Sequence, residues 1–517
     1  MTQAVMVLGT ASHVGKSLLT AALCRILKQD GFRVAPFKAQ NMSLNSAATA
    51  EGLEIGRAQA FQAEAAGIAP SVDMNPILIK PSSDTGAQIV VEGRVWGDAT
   101  ASDYHRNRTL ELFPRVVAAY RRLASAYDIV VLEGAGSPAE FNLRDGDIVN
   151  MRMAAAANAR CVLVGDIDRG GVFAALLGTL QLLEPDERAR IAGLVINKFR
   201  GDVSLLTPGV AEFEKRIGLP CFGVVPYLPN VGLDEEDSVA FDVERVARKP
   251  AWSNADADDP SRRLRIAVVV LPHVSNATDF APLRDEPSVD LVFAMTPQAL
   301  AGADVVILPG TKTTLEARRR LQADGFDAAI RNAPLVFGIC GGLQLLGRRI
   351  EDPLGVEGGG SADGLGLLPT HTTFAAVKVT MPASGALCKS LFGQRVAGVP
   401  IRGYEIHVGQ SAGDEDLEAF ATIRRGLRAE ALTDGACSHD GRIAGTYVHG
   451  IFAGDAFRHA FIRAARAARG LAPPESLEPL STEREARIDR LAAHVRASLD
   501  VPAILSQRPN GLSVSSS

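Results

Sequence analysis

A chain of 517 residues exceeds what a single hydrophobic core serves, so two or three domains are expected. Its 54 Lys and Arg against 59 Asp and Glu leave a net charge of −5 with no basic block, which argues against a nucleic-acid binder and favours small-molecule partners. Six widely spaced cysteines exclude a disulfide scaffold and CxxC metal sites, and no apolar run reaches the roughly 18 residues that span a bilayer; a cytoplasmic protein without membrane contact is expected.

From the first residues, short aliphatic runs alternate with Ala-rich helical patterns, which predicts an α/β chain with a parallel sheet covered by helices on both faces. The run AVMVLG at 4–9 leads into GTASHVGKS and a helix-like stretch. In that strand, loop and helix context, backbone N–H groups of Gly9, Thr10 and Gly15 would cradle phosphates, Lys16 would reach the terminal phosphates and the Ser17 hydroxyl a magnesium ion. ATP and Mg2+ are therefore the expected cofactors. The first glycine stands six residues before Gly15, not five, and this GTxxxxGKS form resembles the loop of dethiobiotin synthetase-like P-loop proteins, which activate carboxylates. Next comes RVAPFKAQNMSLNS. Lys38 there could neutralise a transferring phosphoryl group or hold the carboxylate that attacks it, and Gln40, Asn41, Ser43 and Asn45 form a polar cluster unusual for a plain loop. The run at 128–136 ends in Glu133, a candidate magnesium ligand, and the run at 160–168 offers Asp166 and Asp168 at the corresponding strand end. Asn197, closing the strand pattern at 191–198, reads either as a base-contacting residue or as a turn former.

Residues 237–263 turn polar, and a linker is placed at 251–262, between a first domain at 1–250 and a second at 263–460. A new series of aliphatic runs at 264–273, 290–294, 303–312 and 334–342 predicts another α/β unit. Within PLVFGICGGLQLLG, Cys340 sits where a strand pattern yields to a helical one, and Gly338-x-Cys340-x-Gly342 has the spacing of a nucleophile elbow. The following helix N-terminus favours the thiolate, and the Gly341 N–H and a donor near Gly310 are candidates for an oxyanion hole. The other five cysteines read as structural. His449, in AGTYVHGIF, is the candidate base; position 451, where a carboxylate could orient it, is Ile. Glu405 and His407, in RGYEIHVG, either line the glutamine pocket or supply the missing partner. Residues 461–517 are expected as a helical segment and a frayed tail.

Taken together, GTASHVGKS, PFKAQNMSLNS, MNPILIKP, VVLEGAGSPAEFNL, VGDIDRGGVFA, INKFRGD, LPGTK, GICGGLQLLG, GYEIHVG and GTYVHGIF resemble the cobyric acid synthase family of glutamine-dependent amidotransferases, from residue 2 to about 460. PFKAQNMSLNS separates this family from the related cobyrinate diamide synthases. The resemblance implies a dethiobiotin synthetase-like P-loop domain followed by a class I glutamine amidotransferase-like domain, with Cys340 and His449 in the family's catalytic positions. It also implies amidation of the b, d, e and g carboxylates of adenosylcobyrinic acid a,c-diamide. A ring bearing several carboxylates calls for cations, for which Lys38, Lys80 and Arg169 are candidates, beside Gln40, Asn41 and Asn45. Glutamine and a corrinoid polycarboxylate are the expected partners, and a homo-oligomer is left open.

Overall fold

The computed structural model describes residues 2–506 apart from 84–85, 101–102, 105–108, 230–231, 233–245, 251, 254–258, 414–416, 427–429 and 478. The expected tail at 507–517, and residues 251 and 254–258 of the expected linker, lie outside the described residues.

The first series of aliphatic runs forms a six-stranded parallel sheet in the order Cys221–Pro226, Ile191–Phe199, Arg160–Asp166, Gln3–Gly9, Ile129–Glu133, Val34–Phe37. Alternation along a strand sends side chains to opposite faces. Ala4, Met6 and Leu8 accordingly pack with the helices Thr109–Ala126 and Val172–Leu182, while Val5 and Val7 pack with the helix Lys16–Gln29 on the other face. The connection leaving Gln3–Gly9 runs to Val34–Phe37 on one side and that leaving Ile129–Glu133 runs to Arg160–Asp166 on the other, so the connections diverge at the carboxyl ends of these two neighbours. Open parallel sheets bind ligands in the crevice that such a divergence creates. Lys38, Glu133, Asp166 and the GKS loop all follow strands at this edge.

Residues 40–100 add an element with no clear signal in the sequence: a four-stranded sheet of Gln40–Met42, Ile77–Pro81, Gly86–Val91 and Arg94–Thr100. Its two inner strands, ILIKP and GAQIVV, are apolar and bury Ile77, Ile79, Ile89 and Val91, but each run is too short to be told from other buried segments by periodicity.

The second series forms a seven-stranded sheet in the order Val246–Ala247, Val289–Ala294, Leu264–Val269, Val305–Leu308, Leu335–Ile339, Ile443–Thr446, Ala436–Cys437, parallel except for the last strand. Beside it stands a largely antiparallel sheet built on two long strands, Thr370–Leu387 and Pro400–Gly413. Two features shift the expected boundaries. Val246–Ala247, placed by sequence in the first domain, is an edge strand of the second sheet; two residues carry no periodic signal. The helix Asp455–Ala468 inserts Phe457 and Phe461 against Phe337 and Phe452, so the second core continues past residue 460. The helix Leu480–Ser498 then returns to the first domain. Its Leu491, Ala492 and Val495 pack with Leu19 and Leu23, flanked by Arg25–Glu485 at 2.6 Å and Arg496–Asp30 at 2.8 Å. Among the described residues no helix is long and apolar enough to cross a membrane.

Candidate functional site

At the first domain's crevice, Gly15 takes φ 94°, and an added Cβ would stand 2.3 Å from Asn197 Nδ2. Asn197 donates from that nitrogen to the Val14 carbonyl at 2.8 Å, so its amide braces the loop from below. Lys16 donates to the carbonyls of Ala11 and Gly136 at 2.9 and 3.1 Å, Thr10 N–H donates to Val164 O at 2.9 Å, and an added Cβ on Gly9 would meet Val14 at 2.6 Å. Glu133 is the hub. It is buried and accepts from Ser17 Oγ at 2.8 Å, Lys38 Nζ at 3.0 Å and Gln62 Nε2 at 2.5 Å. Asp166 stands apart from this trio, paired with Lys198 at 3.2 Å. No group of three or more His, Cys, Asp or Glu side chains able to hold a metal converges among the described residues. One carboxylate and one hydroxyl beside bound phosphates suit magnesium, which keeps several waters and rarely uses an all-protein cage.

The polar cluster after Lys38 runs away from this crevice toward the second domain. Gln40 accepts from Tyr104 OH at 2.6 Å, and Asn41 donates to Gln59 at 2.8 Å. Asn45 and Ser46 reach the second domain, bonding Ala277 and Asn276 at 3.0 and 2.8 Å. Of the proposed corrinoid-binding cations, Arg169 is exposed on the turn after Arg160–Asp166. Lys80 is not on an open surface: it is buried against Glu54 at 2.5 Å, and Glu54 also takes Lys378 from the second domain at 2.6 Å. Burial opposes the Glu54 carboxylate, yet the two lysines outweigh it and hold its pKa far below the usual range, while burial lowers Lys378 to about 8.

Cys340 occupies φ 51°, ψ −108°, a backbone region that a side chain enters only when surrounding structure imposes it. Two constraints impose it. Cys340 N–H donates to Thr446 O at 2.8 Å, and the following helix lies so close to strand Val305–Leu308 that an added Cβ on Gly342 would sit 2.0 Å from Leu308 O. Gly338 is equally confined, at 2.7 Å from Gly342. Gly342→Ala is therefore expected to destabilise the fold by about 1–3 kcal/mol or more, measurable by thermal unfolding. Gly310 lies against the site too: a Cβ there would meet His449 at 2.7 Å and Ser275 at 2.9 Å. Gly341 abuts Thr311, whose backbone N would lie 3.0 Å from an added Cβ.

His449 is fully buried, and its Nδ1 bonds Asp279 Oδ2 at 2.7 Å, which leaves Nε2 for the sulfur side, with no hydrogen-bond partner among the described residues. The other Asp279 oxygen accepts from Gly450 N–H at 2.8 Å. Burial disfavours the charged imidazole, but Asp279 and Cys340 outweigh it and raise the His449 pKa to about 10. Asp279 is the orienting carboxylate that the sequence reading did not find. It lies 170 positions before His449, in a short turn, SNATDF, with no residue pattern of its own.

Glu405 does not fill that role. It pairs with His407 at 3.1 Å and with Arg425 at 2.6 Å, while the Nδ1 of His449 is taken by Asp279. Burial works against its charge, but Arg425 and His407 hold its pKa down at about 2. His407 stacks on Tyr447 and, with Cys340, Lys312, Glu357 and Gln344, lines a small cavity that also touches Lys80 and Lys378. Burial lowers Lys312 and raises Glu357 to about 7. Gln62, Lys378 and Asp279 were all missed from sequence. Only Gln62 left a trace, one helical turn after Gln59 on the same face.

Residues 5–239 match the CobQ/CobB/MinD/ParA nucleotide binding domain family, and residues 265–457 match the CobB/CobQ-like glutamine amidotransferase domain family. The chain is 50% identical over 506 residues to a cobyric acid synthase of Chloroflexus aurantiacus, covering 97% of this chain and 98% of that protein. It is 48% identical over 511 residues to one of Citrobacter koseri, covering 98% of each, and 50% identical over 499 residues to one of Roseiflexus castenholzii, covering 96% of each. With both domains matched in order and half the residues identical along nearly the whole length, the chain belongs to the cobyric acid synthase family.

Proposed function

We propose that the chain amidates the b, d, e and g carboxylates of adenosylcobyrinic acid a,c-diamide, using ATP to activate each acid and glutamine as the nitrogen source. The observation that carries this reading is the joining of two chemically distinct centres, Ser17–Lys38–Glu133 and Cys340–His449–Asp279, by one segment, 38–46, whose Lys38 bonds Glu133 and whose Asn45 and Ser46 bond the turn of Asp279.

A carboxylate is a poor electrophile, so its oxygen must first become a leaving group, as in an acyl phosphate. Lys16 and the loop N–H groups suit the phosphates of ATP, and Lys38 suits the charge on the transferring phosphoryl group or the attacking carboxylate. Ser17 and Glu133 would hold magnesium, which when bound neutralises phosphate charge. In the second domain, the Cys340 sulfur attacks the glutamine amide carbon. N–H donors at Gly341 and beside Gly310 would hold the developing oxyanion. His449, charged and held by Asp279, gives its proton to the departing ammonia, and water then releases glutamate from the thioester. The small cavity beside Cys340, with Lys312, Glu357 and His407 in its lining, offers charged and hydrogen-bonding partners for glutamine.

Incubating the protein with ATP, magnesium, glutamine and the corrinoid diamide tests the reading by mass analysis. The expected product carries four new amides. A product amidated at other positions, or none, would overturn it.

A further inference from the structure

The turn that carries Asp279 is held from outside its own domain. Asn276 is buried with φ 55° and ψ 46°, the left-handed conformation that asparagine adopts more readily than other non-glycine residues. Its Oδ1 accepts from the Ser46 N–H at 2.8 Å. The next N–H, that of Ala277, opens the turn Ala277–Phe280 and so lacks a partner inside it, and the side chain of the preceding Asn276 does not cap it. Asn45 Oδ1 accepts it across the domain boundary at 3.0 Å. Within the turn, Asp279 N–H bonds Asn276 O at 2.9 Å, so Asn276 ties the cross-domain bonds to the carboxylate that grips His449. Inside its own domain the turn is held by the buried Phe280 and by the Ser275 N–H bond to Gly310 O at 2.9 Å, but its other side is open. Thr278, Asp279, Ala281 and Pro282 border a cavity of about 380 Å3 on the side facing the helix Leu480–Ser498.

We infer that Asn45, with the Ser46 N–H, is a positioning residue for the glutaminase: the first domain sets the Asp279–His449 geometry of the second. This rests on the reading of Cys340, His449 and Asp279 as the glutaminase centre. The side-chain oxygen of Asn45 is used at the interface, while its Nδ2 has no hydrogen-bond partner among the described residues. The consequence is that the glutaminase is fully assembled only when segment 38–46 is docked, and the other end of that segment is Lys38, bonded to Glu133.

The test uses the full chain and compares Asn45→Ala, Asn45→Asp and Asp279→Asn for glutamate release against glutamine concentration and pH. Asn45→Ala is expected to lower kcat on the order of 10- to 100-fold with a much smaller rise in KM, because the base is misplaced while, of the residues lining the cavity beside Cys340, only Ser275 and Asn276 belong to the loosened turn. Its basic pH limb should move down, in the direction set by Asp279→Asn. The groups facing His449 are Asp279, Cys340 and Tyr404, and loosening Asp279 weakens what favours the imidazolium. Asn45→Asp keeps an acceptor oxygen and should recover most of the loss. Wild-type kcat and pH profile in Asn45→Ala, with Asp279→Asn impaired, would overturn the proposal and leave the glutaminase reading intact. Unchanged activity in Asp279→Asn would overturn both. An equal disturbance of kcat and KM in Asn45→Ala, not rescued by Asn45→Asp, would mark general damage and also overturn it.

Discussion

Cys340→Ser is expected to lower glutamine-dependent glutamate release by at least ~10³-fold, with ammonium salts restoring product formation. A thiolate is intrinsically a far better nucleophile than a serine hydroxyl, which reacts only when a base removes its proton in the transition state. The fold should survive. Serine is close in size to cysteine, and the constraints on the elbow are backbone ones: the bond to Thr446 and the approach to Leu308. Glutamate assays with glutamine, alongside product assays with ammonium, check this. Undiminished glutamate release would remove Cys340 as nucleophile.

Glu133→Gln should give the reciprocal result: loss of amidation whatever the nitrogen source. The carboxylate accepts from three donors at once, and an amide in its place would turn an N–H toward one of them. Worse, Lys38 would keep its burial and lose its counter-charge, a change that costs about 3–5 kcal/mol when one partner of a buried pair is removed. The expected signature is a lower thermal midpoint, an amidation rate near background with ammonium, and Cys340 still alkylated by iodoacetamide. Normal ammonium-dependent amidation would show that Glu133 serves only the fold. The two variants together separate the centres, because each should fail in the half-reaction that the other retains.

The contrast between what was legible and what was not follows from how far each signal travels. Gly15-Lys16-Ser17 after AVMVLG, and Gly338-x-Cys340-x-Gly342 after PLVF, are local: the turn that makes the site and the residue that acts in it lie within a few positions. The parallel α/β architecture was legible for the same reason, since strand and helix periods repeat over short windows. The edge strand Val246–Ala247 and the sheet at 40–100 were not, because the first has only two residues and the runs of the second are too short for a period to identify them.

By itself, then, the sequence determined which chemical groups are present and which loops display them: a phosphate cradle, a sulfur on an elbow and a histidine to serve it. Tertiary structure alone decided their partners. It brought Asp279 to His449 across 170 positions, turned Glu405 toward Arg425, buried Lys80 beside Glu54, and set Asn45 against a turn of the other domain. Such pairings depend on which faces of separate elements meet, and burial makes them strong by removing water as a competitor. A linear pattern of residue types holds no record of either.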